Sequence, residues 1–145
     1  MAEIKNKQTE KRWIQPRKES DPPAAVAEWD WRYHHLGIPT QTPHPNEVYL
    51  EHLKIFVSGF ETSPFGIEWM RFDEDCPVSE IIKTVPHIAF EVDDLESALV
   101  GNKMLGEITY PCKGVRVAMI LHDGAPVELM EFDRVEFRVG KIKKK

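Results

Sequence analysis

Apolar and polar positions follow the same order in two stretches of this 145-residue chain. Each stretch opens with an apolar strand pattern that carries a histidine and closes with one that carries a glutamate. The first stretch runs from 33–38 (YHHLGI) to 66–70 (GIEWM), and the second from 86–92 (PHIAFEV) to 126–130 (PVELM). This repetition predicts two similar halves, each built mainly of strands.

The second half predicts the order β-α-β-β-β. A strand over 86–92 precedes a helix that Asp94 caps, which begins at Leu95 and ends at Gly101. Three strands are then expected near 104–110, 115–121 and 126–132. Asp123-Gly124 is typical of the tight turn that joins the last two strands as a hairpin.

The first half is less regular. A strand over 31–39 ends at Pro39, and Asn46-Glu47 is expected to cap a short helix that runs to about Lys54. Strands are predicted over 54–60 and 66–72. The segment from Pro77 to Val85 is expected to form a short helix or turn that leads into the second half.

The length suggests one domain, flanked by two polar segments. Residues 1–28 show little periodicity and predict a flexible N-terminal arm. Residues 29–133 predict a single domain made of the modules 29–76 and 84–133. Residues 134–145 form a basic C-terminal tail.

The net charge of −5 conceals an uneven distribution. Residues 21–133 hold seven basic and twenty acidic side chains, whereas 1–20 and 134–145 hold six basic side chains each. An acidic body attracts cations and repels phosphate backbones, so we expect no nucleic acid partner for the domain. The basic tails leave contact with an anionic partner open, beside the alternative of solvated termini.

The remaining composition favours a cytoplasmic protein. Apolar residues make up 41% of the chain, which can supply a core, and no apolar run is long enough for a membrane span. The N-terminus lacks the pattern of a signal peptide. Two cysteines without CxxC spacing indicate free thiols in a reducing compartment.

Four residues form a candidate metal site, because each stands in a strand pattern where an apolar residue is expected: His35, Glu68, His87 and Glu128. Imidazole and carboxylate ligands suit a divalent metal such as Zn²⁺, Ni²⁺, Co²⁺, Mn²⁺ or Fe²⁺. Neighbouring strand residues point to opposite faces, which leaves His34 as the alternative to His35 and Glu131 as the alternative to Glu128.

These residues resemble the vicinal oxygen chelate superfamily, which includes glyoxalase I, methylmalonyl-CoA epimerase, ring-cleaving dioxygenases and bleomycin-resistance proteins. The resemblance covers about 31–132 and rests on HLGI at 35–38, IEWM at 67–70, PHIAFEVDDL at 86–95 and VEL at 127–129. It implies an α+β fold, in which two paired βαβββ modules form a curled mixed sheet, a cup around the metal. The first module is expected to be shortened, since only 33 residues separate its histidine from its glutamate, against 41 in the second. Exposed sheet edges favour a homodimer.

The resemblance is closest to the glyoxalase I-like branch and implies a metal-dependent lyase or isomerase. Such an enzyme acts on a small 2-oxo, 2-hydroxy or thioester substrate through a metal-bound enediolate. Glu128, or else Glu68, would be the catalytic base. Pro39 replaces an arginine that helps to hold glutathione, and only Lys113 and Arg116 are candidates for coenzyme A phosphates.

A second hypothesis is a non-catalytic small-molecule binding protein, as in the bleomycin-resistance branch. It implies an aromatic-lined groove, for which Trp29, Trp31 and Trp69 are the candidates. Because one fold supports many functions, the resemblance alone leaves both hypotheses open.

Overall fold

A computed structural model describes residues 13–17 and 22–137 of the chain. Its described part is an α+β fold, in which eight strands form one mixed sheet that curls into a half-barrel beside a few short helices. The named helices are α1 (Ala24–Ala27), α2 (Glu80–Thr84) and α3 (Leu95–Leu99). The strands are β1 (Arg32–Pro39), β2 (Val48–Leu50), β3 (Ile55–Ser58), β4 (Ile67–Phe72), β5 (His87–Glu91), β6 (Lys103–Met104), β7 (Val115–His122) and β8 (Ala125–Phe132).

The sheet order is β2-β3-β4-β1-β5-β8-β7-β6. β1 pairs in parallel with β4, and β5 pairs in parallel with β8. At the centre, β1 and β5 are antiparallel neighbours and join the two halves. Each half therefore places its histidine-bearing strand beside its own glutamate-bearing strand, and both pairs meet in the middle of the sheet.

The convex face of the second half carries the largest apolar core. Alternate residues of its strands pack there against α3, and the buried cluster comprises Phe90, Val92, Leu95, Ala118, Ile120 and Leu129. A hydrogen bond attaches the start of α3 to the sheet. The Leu95 amide donates it to a carboxylate oxygen of Glu131, in β8, at 3.0 Å. This packing leaves the opposite, concave face free for other side chains.

The helix predicted over Asn46 to Lys54 is wrong. Val48–Leu50 instead pairs with β3, and Lys54 closes the following turn with a φ of 59°. So short a segment gains little from helix formation, and Val48 and Tyr49 favour a strand once a neighbouring strand is available to pair with.

The first half consequently has no helix between β1 and β2, within a segment that the structure describes throughout. A layer of side chains covers the outer face of its strands instead. The Arg71 guanidinium lies 4.0 Å from the centre of the Phe56 ring and binds Glu47 through two hydrogen bonds of 2.9 and 2.6 Å. Tyr49 stacks on the same phenyl ring with the centroids 4.3 Å apart.

Most other predicted elements are confirmed to within one or two residues. The Asp123-Gly124 turn is confirmed with φ of 46° and 83°, as a tight hairpin requires. The strand expected over 104–110 is mostly wrong, because only Lys103–Met104 and a single bridge from Thr109 pair with β7.

The flanking segments are described only in part. Of the predicted arm 1–28, residues 13–17 are exposed and α1 occupies part of its end, where Ala25 packs on the core. Residues 134–137 form a helical turn, and the rest of the predicted tail lies outside the described residues. None of the described helices reaches the length and hydropathy that a membrane crossing requires.

Replacing Leu129 by Ala is expected to lower the free energy of unfolding by about 2–5 kcal/mol, because this fully buried side chain lies in the core beneath α3. Urea denaturation measures the change. Val100→Ala serves as the control, since Val100 is 78% exposed and its truncation should change stability by less than about 0.5 kcal/mol. Equal losses in the two variants would contradict the assignment of this core.

Candidate metal centre

One row of residues across the central strands carries two of the candidate ligands. Gly37 of β1 lies in register with Glu68 of β4 on one side and with His87 of β5 on the other. A Cβ atom at Gly37 would lie 2.1 Å from Cε1 of the His87 imidazole. The missing side chain of Gly37 therefore provides the space into which His87 turns.

A second row repeats this arrangement with the other two ligands. Ala89 of β5 lies in register with His35 of β1 and with Glu128 of β8. Alternate residues of a strand share a face, so both rows point into the concave side of the sheet. Each half thus contributes the same set, which is a histidine, a small residue two positions later, and a glutamate in register with that small residue.

The structure brings His35, His87 and Glu128 together. Oε1 of Glu128 lies 2.8 Å from Nε2 of His87 and 3.4 Å from Nε2 of His35. The ligand atoms of these three residues all lie within 4.8 Å of one another, and the two imidazole rings cross at 80°. Three protein ligands in such a group are enough for a metal site that keeps a position open.

Glu68 lies beside this group but is held less closely. Its Oε1 is 3.7 Å from Nε2 of His35, and Glu68 is not part of the group in which every ligand atom lies within 4.8 Å of every other. The four predicted residues are therefore neighbours on one face, with Glu68 at the margin of the cluster.

The imidazoles are buried with their polar atoms unsatisfied. His35 is 2% exposed and His87 is 1% exposed. Nε2 of His35 and both ring nitrogens of His87 have no hydrogen bond of acceptable geometry with the described residues. A buried polar atom without a partner costs about 1–3 kcal/mol, so this arrangement fits side chains that are oriented towards a shared ion.

Burial and the neighbouring charged groups shift the pKa values of the side chains in the cluster. Burial alone would raise the pKa of Glu128, but the two adjacent imidazoles outweigh it and hold that pKa well below its usual range. Burial lowers the pKa of His35, but Glu128 and Glu68 more than reverse this and raise it. Burial raises the pKa of Glu68, and the nearby imidazoles of His35 and His87 offset this increase only in part.

His34 contributes in a way that strand alternation does not predict. The pairing of β1 with β5 is irregular between Tyr33 and His35, and this bulge lets the His34 ring turn towards its neighbour. Nδ1 of His34 lies 2.8 Å from Nδ1 of His35, while its ring stacks on Phe60 with the centroids 4.6 Å apart. This contact engages Nδ1 of His35 and leaves its Nε2 facing the carboxylates of Glu68 and Glu128.

A cavity of about 570 Å³ opens over the cluster. Its polar floor is formed by Glu68, His87 and Glu128, and most of its wall is aliphatic. The wall combines strand residues of both halves with the linker around α2 and the segment after β6: Leu50, Leu53, Ile55, Val57, Met70, Pro77, Val78, Ile82, Leu105, Pro111, Val117, Ala118 and Met119. Pockets of about 300–1,000 Å³ with few polar groups are typical small-molecule sites.

The other three histidines and the remaining candidates lie elsewhere. His44 stacks on Trp69 outside the cavity, His52 contacts the Tyr110 carbonyl oxygen at 2.8 Å, and the His122 side chain is 78% exposed. Glu131, the alternative to Glu128, points to the helix-bearing face and binds Arg116. Trp29 and Trp31 line a separate cavity of about 520 Å³ beside α3, so none of the three candidate tryptophans lines the cup.

Comparisons with known proteins do not assign the chain to a family. No protein-family model matches it, and no curated protein matches it. Among solved structures, it is similar to a hypothetical protein from Bacillus halodurans C-125, at 19% identity and a TM-score of 0.42. That alignment covers 80% of this chain and 87% of the other.

Gly37→Ala is expected to displace the His87 ring, because the added methyl group overlaps it, and to lower the free energy of unfolding by about 1–3 kcal/mol. The displacement is measured from the histidine ring signals in NMR spectra. Gly124→Ala is the control, since it strains a turn with a φ of 83° but meets no atom within 4 Å. Unchanged His87 signals in Gly37→Ala would contradict the described packing.

Proposed function

We propose that this protein is a metal-dependent lyase or isomerase of the glyoxalase type. Its substrate is a small 2-oxo or 2-hydroxy compound, or a related thioester, bound in the concave face of the sheet. The observation that carries the proposal is the convergence of His35, His87 and Glu128, with unsatisfied imidazole nitrogens, at an apolar cavity whose floor includes His87 and Glu128.

The donor set fits a divalent metal. His35 and His87 offer Nε2 atoms, and Glu128 offers an oxygen close to both. Nitrogen and carboxylate ligands suit Zn²⁺ and its first-row neighbours, and Glu68 completes the charge balance of a dication. When bound, the metal supplies Lewis-acid stabilisation of negative charge on a substrate oxygen.

The side chains of the cavity divide the remaining work. Glu128 is fixed by two imidazoles and serves as a ligand, whereas Glu68 stands at the margin and faces the cavity. Glu68 therefore takes the proton from the substrate carbon beside the carbonyl and returns it to the adjacent carbon, as a general base and then acid. The aliphatic wall excludes water from this proton transfer.

The topology supports membership of the vicinal oxygen chelate superfamily as part of the proposal. The second half has the element order β5-α3-β6-β7-β8, which is the order expected of a βαβββ module, and the first half has the same strand pairing without the helix. The ligands occupy equivalent positions in the two halves. A module repeat that places one histidine and one glutamate per half in a common cup is the arrangement which the sequence resemblance implies.

Non-catalytic binding is the competing function, and the wall of the cup argues against its aromatic form. The cavity is lined by leucine, isoleucine, valine and methionine side chains, and its described wall contains no tryptophan. Capture of an apolar ligand also requires no polar floor. Burial of two imidazoles and a carboxylate opposes folding unless these groups bind a partner.

Natively purified protein is expected to contain about one equivalent of a divalent metal by elemental analysis. Chelation with EDTA should lower its thermal stability, because a ligand at 100 times its Kd stabilises the folded state by about 2.7 kcal/mol. Protein that binds none of Zn²⁺, Ni²⁺, Co²⁺, Mn²⁺ and Fe²⁺ on reconstitution, with no response to EDTA, would disprove the proposed function.

His87→Ala should weaken metal affinity by more than the roughly 10–100-fold that loss of an outer partner causes, because it removes a ligand. Competition with a fluorescent chelator measures the affinity. His122→Ala is the matched control, as it removes an exposed histidine far from the cluster and should leave the affinity unchanged. Equal affinities in the two variants would place the metal elsewhere.

Glu68→Gln and Glu128→Gln should separate proton transfer from metal binding. Glu68→Gln is expected to keep most of the metal and to slow exchange of the carbon-bound proton of 1-hydroxy-2-butanone in D₂O by roughly 10²–10⁴-fold, measured by NMR. Glu128→Gln should lose the metal first, since it removes the oxygen that both imidazoles face. The opposite pattern would exchange the two assigned roles.

A further inference from the structure

We propose that the substrate is an uncharged molecule with an apolar body, joined to a pair of adjacent oxygens, and that it carries no anionic carrier group. This inference rests on the proposed function and narrows its substrate class. It is based on the composition of the cavity wall, and on the lysine and arginine side chains that bind carboxylates outside the cavity.

No lysine or arginine lies among the described residues that line the cavity. The ionisable side chains there are three glutamates and one histidine: Glu68, Glu107, Glu128 and His87. A dication balances the two floor carboxylates, and the exposed Glu107 adds a further negative charge to the lining. An anionic substrate body would meet repulsion there and no partner, and a buried unpaired charge is costly.

The two basic residues that the sequence offers as candidates for coenzyme A phosphates are engaged away from the cavity. Arg116 binds Glu96 at 2.7 Å and Glu131 at 2.8 Å, on the helix-bearing face. The Lys113 side chain is 86% exposed and lies 3.9 Å from Glu136. Neither residue lines the cup, so the phosphates of coenzyme A and the carboxylates of glutathione find no cation in the described wall.

The wall instead is mainly aliphatic. Val117 and Met119 of β7 line the cavity together with Ile55, Val57 and Met70 of the other half. Burial of an apolar substrate body against these side chains is favourable, because it removes apolar surface from water. The two methionines, with their unbranched side chains, allow the wall to adapt to an irregular apolar body.

Three hydroxamates test this inference, because they share one metal-chelating head and differ only in the body. Octanohydroxamic acid has an apolar chain, suberic acid monohydroxamate has a chain of equal length that ends in a carboxylate, and acetohydroxamic acid has no chain. Each is titrated into the Zn²⁺-loaded full-length protein by calorimetry, and the metal content is measured before and after the titration.

Octanohydroxamic acid should bind at least tenfold more tightly than acetohydroxamic acid and at least tenfold more tightly than the carboxylate-ended compound. Equal affinities, or a preference for the carboxylate-ended compound, would overturn the inference while the metal site stands. Loaded protein that binds none of the three would overturn the proposed function together with the inference.

Met119→Lys provides the matched charge test, since it places a cation in the wall of the cavity. It should reduce the preference for the apolar chain over the carboxylate-ended chain by at least tenfold. Val100→Lys adds the same charge at an exposed position outside this cavity and should leave the ratio unchanged. Thr109→Lys, at another position in the same wall, replaces Met119→Lys if that variant does not fold. An unchanged ratio in a folded wall variant would overturn the inference.

Discussion

The structure depends on a central constraint, which is that two imidazoles and a carboxylate are buried together in the middle of a sheet. Such burial opposes folding, because Nε2 of His35 and both ring nitrogens of His87 lose water without gaining well-formed hydrogen bonds. The fold tolerates it because the largest apolar core lies on the other face, where β5, β7 and β8 pack on α3. Smaller buried apolar clusters, around Val117 and Met70, share the concave face with the polar residues. The divalent ion of the proposed function would turn the burial of these polar groups from a cost into a gain.

Room for this cluster comes from the smallest side chains in the sheet. Gly37 and Ala89 occupy the positions between the ligands in the two rows, and both lie two residues after a ligand histidine. Larger residues at these points would fill the space into which the imidazoles turn, as the overlap with His87 at Gly37 demonstrates. The small size of the residues at positions 37 and 89 is therefore as important to the site as its four polar side chains.

The repeat in the sequence was sufficient to predict the strands that carry the site, because burial of one face imposes alternation that survives in the residue pattern. The same repeat also contains the two small residues, Gly37 and Ala89, as His-x-Gly and His-x-Ala. Their position between the polar side chains became evident only from the strand register. Two features had no such signal. The contact of His34 with His35 depends on a bulge that breaks the alternation, and β2 replaced an expected helix because its partner strand lies close in space. Both are decided by tertiary pairing, which a local pattern does not encode.

The absence of a helix in the described first half also bears on how the cup works. The Arg71, Phe56 and Glu47 layer stabilises the outer face of β3 and β4 with few residues. The wall of the cup then depends on the linker around α2 and on the segment after β6, where the contact of His52 with the Tyr110 carbonyl spans the two halves. Irregular segments tolerate substitution better than paired strands do. A scaffold that holds its polar floor on four central strands and part of its apolar wall on such segments can therefore vary its wall while it keeps its polar floor.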